Sequence, residues 1–344
     1  MQDKENIKNM RIEDIESYVA KNKLPKFRAT QIFEWIYKDV ESFADMTNLP
    51  KNLIELLDKD FYIGRARIEA MQHSKKDNTR KYLLCVEDGN AVECVLMEYS
   101  YGKTICISTQ VGCKMSCEFC ASAIGGFIRS LTSGEMLEEV MAVSRDIGER
   151  ISNVVLMGTG EPFDNYDEVI RFIKIINSEK GLNVGQRHIT ISTSGLVPKI
   201  MEFADENLQC TLAISLHAAE NELRGKIMPV NRKYSIEELM DACRYYIKVT
   251  NKRITFEYAL IKDFNDSVRD AEKLGMLLKG MLCHVNLIPV NKVEERSFEK
   301  ASKERINQFK NTLERFEVET TVRRELGSDI DAACGQLRQK YLRQ

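Results

Sequence analysis

Between Lys103 and Val290 the sequence alternates short apolar runs with amphipathic stretches, and this alternation restricts the fold more than any other feature. The apolar runs are KTICIST (103–109), NVVLMG (153–158), HITIST (188–193), TLAISLH (211–217), ITFEYALI (254–261) and HVNLIPV (284–290). Apolar residues at helical spacing fill 134–147, 166–178, 197–206, 235–250, 266–279 and 302–316. Strands that alternate with helices form a parallel sheet with helices packed outside it. Six such units are too few to close an eight-fold barrel, so the expected fold class is α/β, a partial (β/α)6 barrel. Chemistry in such folds gathers at the C-terminal ends of the strands. A last strand is expected in VETTVRRE (318–325), before a tail ending in DIDAACGQL.

The residues ahead of this series divide in two. Helical spacing recurs in 12–22, 29–39 and 52–61, punctuated by Pro25 and Pro50, so residues 1–75 are expected to form a small helical accessory unit. KYLLCVE (81–87) and AVECVLMEY (91–99) flank Asp88-Gly89-Asn90, a strong hairpin signal, and 76–98 is expected to be a β-hairpin linker. The barrel core then spans 99–329 and a C-terminal tail 330–344. Lys21, Lys23, Lys26, Arg28 and Lys38 make the first unit locally basic. A solvated helix face explains them at least as well as RNA does, and Phe33 and Trp35 nearby are candidates for base contact.

Bulk properties narrow the setting. No stretch approaches the apolar length needed to span a bilayer, and MQDKENIKNM carries no apolar signal core, so the expected location is the cytoplasm, with no membrane partner. A net charge of −2 gives no global sign of nucleic-acid binding, and any RNA contact must come from local patches. Ten cysteines in such a chain point to metal or thiol chemistry rather than to structural disulfides. Cys85, Cys94, Cys210, Cys243 and Cys283 sit in or at apolar-patterned segments and read as small buried hydrophobes.

Cys113-Lys-Met-Ser-Cys117-Glu-Phe-Cys120 falls directly after the first strand of the repeating series, where a catalytic loop belongs. Three thiolates this close, with no His nearby, suit zinc completed by a distant ligand or an iron–sulfur cluster. A [4Fe-4S] cluster ordinarily takes four Cys, so three leave one iron open to the amino and carboxylate groups of S-adenosylmethionine. An electron from the cluster then breaks the S–C5′ bond and leaves a 5′-deoxyadenosyl radical. Phe119, just before the last Cys, would set a ring beside the adenine of the cofactor.

Later strand ends carry polar groups suited to that cofactor. The second strand runs into Gly158-Thr-Gly160-Glu161-Pro162, where Gly160 admits close approach and Glu161 can accept from the methionine ammonium. The third ends in Ser192-Thr193-Ser194-Gly195, which suits ribose or carboxylate binding, or a plain helix cap. The fourth ends in Ser215, Leu216 and His217, grouped with the cofactor site but with no acid–base role for the His. The sixth ends in Pro289-Val290-Asn291, whose amide can read the adenine. Two cysteines stand apart. Cys106 lies within the first strand, where a buried inert thiol is the plainer reading, and Cys334 lies among small residues in the tail.

GCKMSCEFCAS, GFIRSLTSGEM, NVVLMGTGEP, ISTSG, AISLHA, NLIPVN and VRRELGSDIDAACGQL together resemble the bacterial radical-SAM RNA adenine methyltransferases. Within that family the likeness is to the branch that methylates adenine C2 in large-subunit ribosomal RNA and in tRNA, and it runs over nearly the whole chain. The resemblance implies that a methyl group from one S-adenosylmethionine is first placed on Cys334. A second S-adenosylmethionine then yields the radical that activates this methyl for addition to C2. It also implies that Glu93 removes the C2 proton and that Cys106 releases the product by forming a transient disulfide with Cys334. From its position alone Glu93 reads as a surface residue of a strand. An electron donor such as flavodoxin and a monomeric state are further expectations. The sister activity at adenine C8 shares the triplet and both extra cysteines, and a non-catalytic zinc RNA-binding protein is the rival of another class.

Overall fold

The computed structural model describes residues 4–290, 298–327 and 329–330. β1 (Glu5–Asn6) and β2 (Phe61–Tyr62) pair in parallel and bracket α1 (Ile12–Lys21), α2 (Phe27–Ile36) and α3 (Lys51–Asp60). Ile15, Val19, Ile32, Phe33, Leu53 and Leu57 give this unit a hydrophobic core of its own. The helical expectation thus holds up to Asp60, but the stretch up to residue 75 departs from it. Residues Arg67–His73 form a strand, β3, which leads into β4 (Arg80–Cys85), β5 (Ala91–Tyr99) and β6 (Gly102–Cys106). These four strands pair antiparallel, so the expected hairpin is an integral extension of the main sheet.

After β6 the chain makes a two-stranded antiparallel ribbon from β7 (Gln110–Gly112) and β8 (Phe127–Ser130), which the apolar pattern did not announce. It then alternates as expected: α4 (Ser133–Ile147), β9 (Asn153–Leu156), α5 (Tyr166–Ile176), β10 (Ile189–Thr193), α6 (Val197–Asp205) and β11 (Thr211–Ser215). Next come α7 (Asn221–Ile227), α8 (Ile236–Thr250), β12 (Ile254–Leu260), α9 (Val268–Leu278), β13 (Cys283–Pro289), α10 (Lys303–Arg315) and β14 (Thr320–Val322). Helix starts are written locally: the hydroxyls of Thr132, Ser235 and Ser267 accept from the backbone N–H three residues on, each closed by an acidic partner at that position.

The main sheet has ten strands in the order β14-β13-β12-β11-β10-β9-β6-β5-β4-β3, and the seven from β6 to β14 run parallel. β3 and β14 lie at opposite ends of that order, so the barrel stays open. The segment after β14 crosses between those ends. Arg323 N donates to the Leu287 carbonyl at 2.8 Å on β13. Further on, Gly327 N donates to Asp77 Oδ2 at 2.8 Å. The Asp329 carboxylate accepts from Ser74 Oγ at 2.6 Å and from Lys75 N at 2.9 Å. The helical unit docks on α4 through a buried ion pair of Lys8 with Glu138, whose Oε2 also accepts from Ala66 N at 2.9 Å.

Candidate active site

The C-terminal strand ends and the crossing segment enclose a cavity of about 350 Å³. Cys113, Cys117 and Cys120 line one part of its wall, in the loop between β7 and β8. That loop is tied at both ends: Cys113 N donates to the Gly126 carbonyl at 3.1 Å and Glu118 N to the Ile227 carbonyl at 2.9 Å. Burial pushes the Cys113 thiol up to about 12 and the Cys117 thiol higher, and the charge of neighbouring cysteines adds to both. Thiols raised this way need a bound cation to stay deprotonated. Among the described residues no three His, Cys, Asp or Glu side chains converge on a single-ion position. Three thiols on one wall of the cavity are the donor set that an iron–sulfur cluster takes.

Several expected cofactor residues meet in the same cavity: Gly160, Glu161, Ser192, Ser215 and His217 all line it. Glu161 is buried, and its carboxylate already accepts from Phe163 N at 3.0 Å and Ser194 N at 2.7 Å, tying the ends of β9 and β10 together. Burial raises its carboxyl above the usual range, although these donors oppose the shift. Ser192 Oγ and Ser215 Oγ lie 3.5 Å apart across β10 and β11. Leu216 does not line the wall: its side chain is in the core, and its carbonyl accepts from Arg224. His217 Nδ1 accepts from Ala259 N at 2.9 Å, which assigns the ring proton to Nε2. Burial drives His217 down to about 3, with the nearby Arg224 charge adding to the effect, so the ring is neutral. Phe119 meets it edge-on, with ring centroids 4.8 Å apart. Asn291 lies outside the described residues, as does Cys334.

Cys106 is buried in β6 and faces the cavity. It packs with Val95, Met97 and Leu326, the last from the crossing segment. Among the described residues no disulfide is formed. Glu93 departs from its surface reading: it is 3% exposed and pairs with the equally buried Lys81 at 2.9 Å. It lies two residues before Val95, the partner of Cys106 in the β5–β6 ladder, and so shares the face that carries Cys106. The wall formed by the described residues does not itself include Glu93. Glu257, Arg323 and Arg324 also line the cavity, unannounced by the sequence. Glu257 sits inside an apolar run, ITFEYALI, and a charge in a run buried on both faces was the available signal.

A cysteine-bearing loop after the first parallel strand, above an open α/β barrel with polar strand ends, defines a radical SAM enzyme. The model of the Radical SAM superfamily matches residues 107–274, and that of the ribosomal RNA large subunit methyltransferase N-terminal domain matches residues 5–63. The chain is 56% identical over 338 residues to a Clostridium botulinum (strain Eklund 17B / Type B) protein described as "Probable dual-specificity RNA methyltransferase RlmN", covering 98% of this chain and 97% of that protein. A protein of the same description from Clostridium acetobutylicum is likewise 56% identical, with 98% of each chain covered. The crystal structure of a radical SAM methyltransferase from Sphaerobacter thermophilus superposes with a TM-score of 0.91 at 42% identity, over 96% of this chain and 98% of that one. The chain belongs to the RlmN family of radical SAM dual-specificity RNA methyltransferases. Among the described residues no helix is long and apolar enough to cross a membrane.

Proposed function

We propose that this enzyme methylates C2 of adenine in large-subunit ribosomal RNA and in an anticodon-loop adenosine of tRNA, using two S-adenosylmethionine molecules per turnover. The observation that carries this reading is one cavity that holds the cysteine triplet, Cys106 and the segment leading toward Cys334. Adenine C2 is electron-poor and no nucleophile, so polar transfer from a sulfonium fails there. The bound cluster and S-adenosylmethionine supply a 5′-deoxyadenosyl radical. Cys113, Cys117 and Cys120 would hold the cluster and leave it an open position for the cofactor. Gly160, Glu161, Ser192, Ser215, His217 and Asn291 seat S-adenosylmethionine, with neutral His217 donating from Nε2 and Leu216 supporting the strand end behind the wall. Cys334 accepts the methyl group that is carried to the base. Glu93, paired with Lys81, takes the C2 proton, and Cys106 resolves the adduct through a transient disulfide that is afterwards reduced.

The parts divide the labour: the helical unit up to Tyr62 takes up RNA, β3 to β5 join that unit to the core, the parallel strands and their loops hold the radical site and 330–344 bring Cys334. A monomer working in the cytoplasm with a flavodoxin-type donor suits this scheme. The test is anaerobic reconstitution with iron, sulfide, S-adenosylmethionine, reductant and ribosomal RNA or tRNA, followed by mass spectrometry of nucleosides. 2-Methyladenosine and about four irons per chain are expected. 8-Methyladenosine, or a colourless zinc protein, would overturn the reading.

A further inference from the structure

α7 carries a charge whose partners make little sense for a surface helix. Arg224 is fully buried. Its Nε donates to the Leu216 carbonyl at 3.0 Å, and its Nη2 donates to the carbonyls of Ser194 at 2.6 Å and Ser215 at 3.1 Å. Its Nη1 donates to Asn231 Oδ1 at 3.0 Å. Ser194 follows β10, Ser215 ends β11 and Leu216 comes next, so one guanidinium fixes the spacing of two strand ends that face the cavity. All four acceptors are neutral. A buried cation is unfavourable unless negative charge lies close by, and no carboxylate among the described residues provides it.

The negative charge available is that of the cysteine loop. One turn beyond Arg224, the Ile227 carbonyl accepts from Glu118 N at 2.9 Å, and Ile227 and Met228 pack against Cys117 and Phe119. Cys117 is the group whose charge most favours the protonated guanidinium. α7 therefore clamps the loop to the two strand ends, with its cation within electrostatic reach of Cys117.

We propose that Arg224 is a positioning residue with two separable effects: its hydrogen bonds set the strand ends that seat S-adenosylmethionine, and its charge raises the reduction potential of the cluster. The inference rests on the cluster reading given above. One-electron reduction adds one negative charge to the cluster, supplied by the external donor, and a fixed cation nearby favours that product.

The test uses the full chain, reconstituted anaerobically, with three substitutions: Arg224→Gln, Arg224→Lys and Asn231→Asp. Iron content is measured first, then the midpoint potential by electron paramagnetic resonance titration, then the dissociation constant for S-adenosylmethionine. Arg224→Gln removes charge and bonds, so reduction should become at least tenfold less favourable, a 59 mV fall for a one-electron couple, with weaker cofactor binding. Arg224→Lys keeps the charge and loses most of the bonds, so cofactor binding should weaken tenfold while the potential stays near that of the parent. Asn231→Asp leaves the arginine bonds in place and cancels the charge, so the potential should fall while binding is retained. This third substitution decides the matter if the arginine variants do not fold. An unchanged potential in Asn231→Asp, or equal potential shifts in Arg224→Lys and Arg224→Gln, would overturn the proposal. Absence of iron from the parent chain would instead sink the cluster reading itself.

Discussion

A single methyl group added at Gly160 should damage the active site more than its size suggests. The residue has φ +114°, a region that costs an L-residue about 1–3 kcal/mol. A Cβ there would stand 2.7 Å from Thr109 Oγ1 and 2.8 Å from both Cβ and N of Gln110. Gln110 has little room to retreat, because its N donates to the Thr159 carbonyl at 3.2 Å and its Oε1 accepts from Glu161 N at 3.0 Å. Overpacking of this kind adds about 1–3 kcal/mol, while the stiffer unfolded chain offsets about 0.4–1 kcal/mol. The net cost of Gly160→Ala is thus about 1–6 kcal/mol. It is met by global destabilisation or by displacement of the turn that carries Glu161 from the loop leading to Cys113. The assay pairs thermal melting with S-adenosylmethionine binding to the reconstituted chain. Melting should fall by about 1–2 °C per kcal/mol for a chain of this length, and each 1.4 kcal/mol diverted into the turn weakens binding about tenfold. Gly89→Ala is the control: its φ is +82° in the β4–β5 turn, with nothing within 4 Å of the added Cβ, so it should destabilise modestly and spare binding. Parental stability and affinity in Gly160→Ala would refute the reasoning.

Other perturbations address separate parts of the molecule. Lys8→Met leaves Glu138 buried with Arg145 as its remaining cation and should cost about 3 kcal/mol, the low end for breaking a buried pair, read by urea unfolding. A loss below 1 kcal/mol would mean that the Lys8 pair does not hold the helical unit to α4. Burial disfavours the charged form of Glu138, but Arg145 and Lys8 outweigh it and hold the carboxyl below its usual range. Its contribution is therefore complete above the unfolded value near 4.3 and is lost as pH falls through the lower folded value, so Glu138→Gln should flatten the acid limb of the stability profile. Cys334→Ala should abolish RNA methylation while reductive cleavage of S-adenosylmethionine continues, and Cys106→Ala should accumulate an RNA–protein adduct on denaturing gels. Loss of cleavage in the first, or no adduct in the second, would count against the assigned roles.

The parallel strands were legible because burial on both faces makes them near-continuous apolar runs, and the helices between them because they are long and one-sided. What escaped was short or depended on distant partners. α7 spans seven residues, NELRGKI, too few for a periodic signal, and its Arg224 looks like solvated charge until β10 and β11 are folded beside it. β3 reads RIEAMQH with mostly exposed side chains, because an edge strand has little to bury and so little apolar pattern to show. Glu93 was misread for a simpler reason. Its neighbours in AVECVLM are apolar on both faces, which marks a strand with no surface side, and a carboxylate there requires a partner such as Lys81. The triplet was legible because its spacing is local, whereas the meeting of Cys106 with Leu326 is fixed by long-range topology alone.

The crossing segment after β14 also bears on when the enzyme becomes complete. Its bond from Asp329 to Ser74 joins residues 255 apart in sequence. Closing a loop of that length has an entropic cost that grows with its logarithm, and such pairings form late. During synthesis the helical unit, the cysteine loop and every parallel strand through β13 are available before this strap exists. The cavity thus gains its last wall after the parts that bind the cluster have been synthesised. A nascent chain stalled short of Asp329 would carry a radical site with one side open to solvent and oxygen.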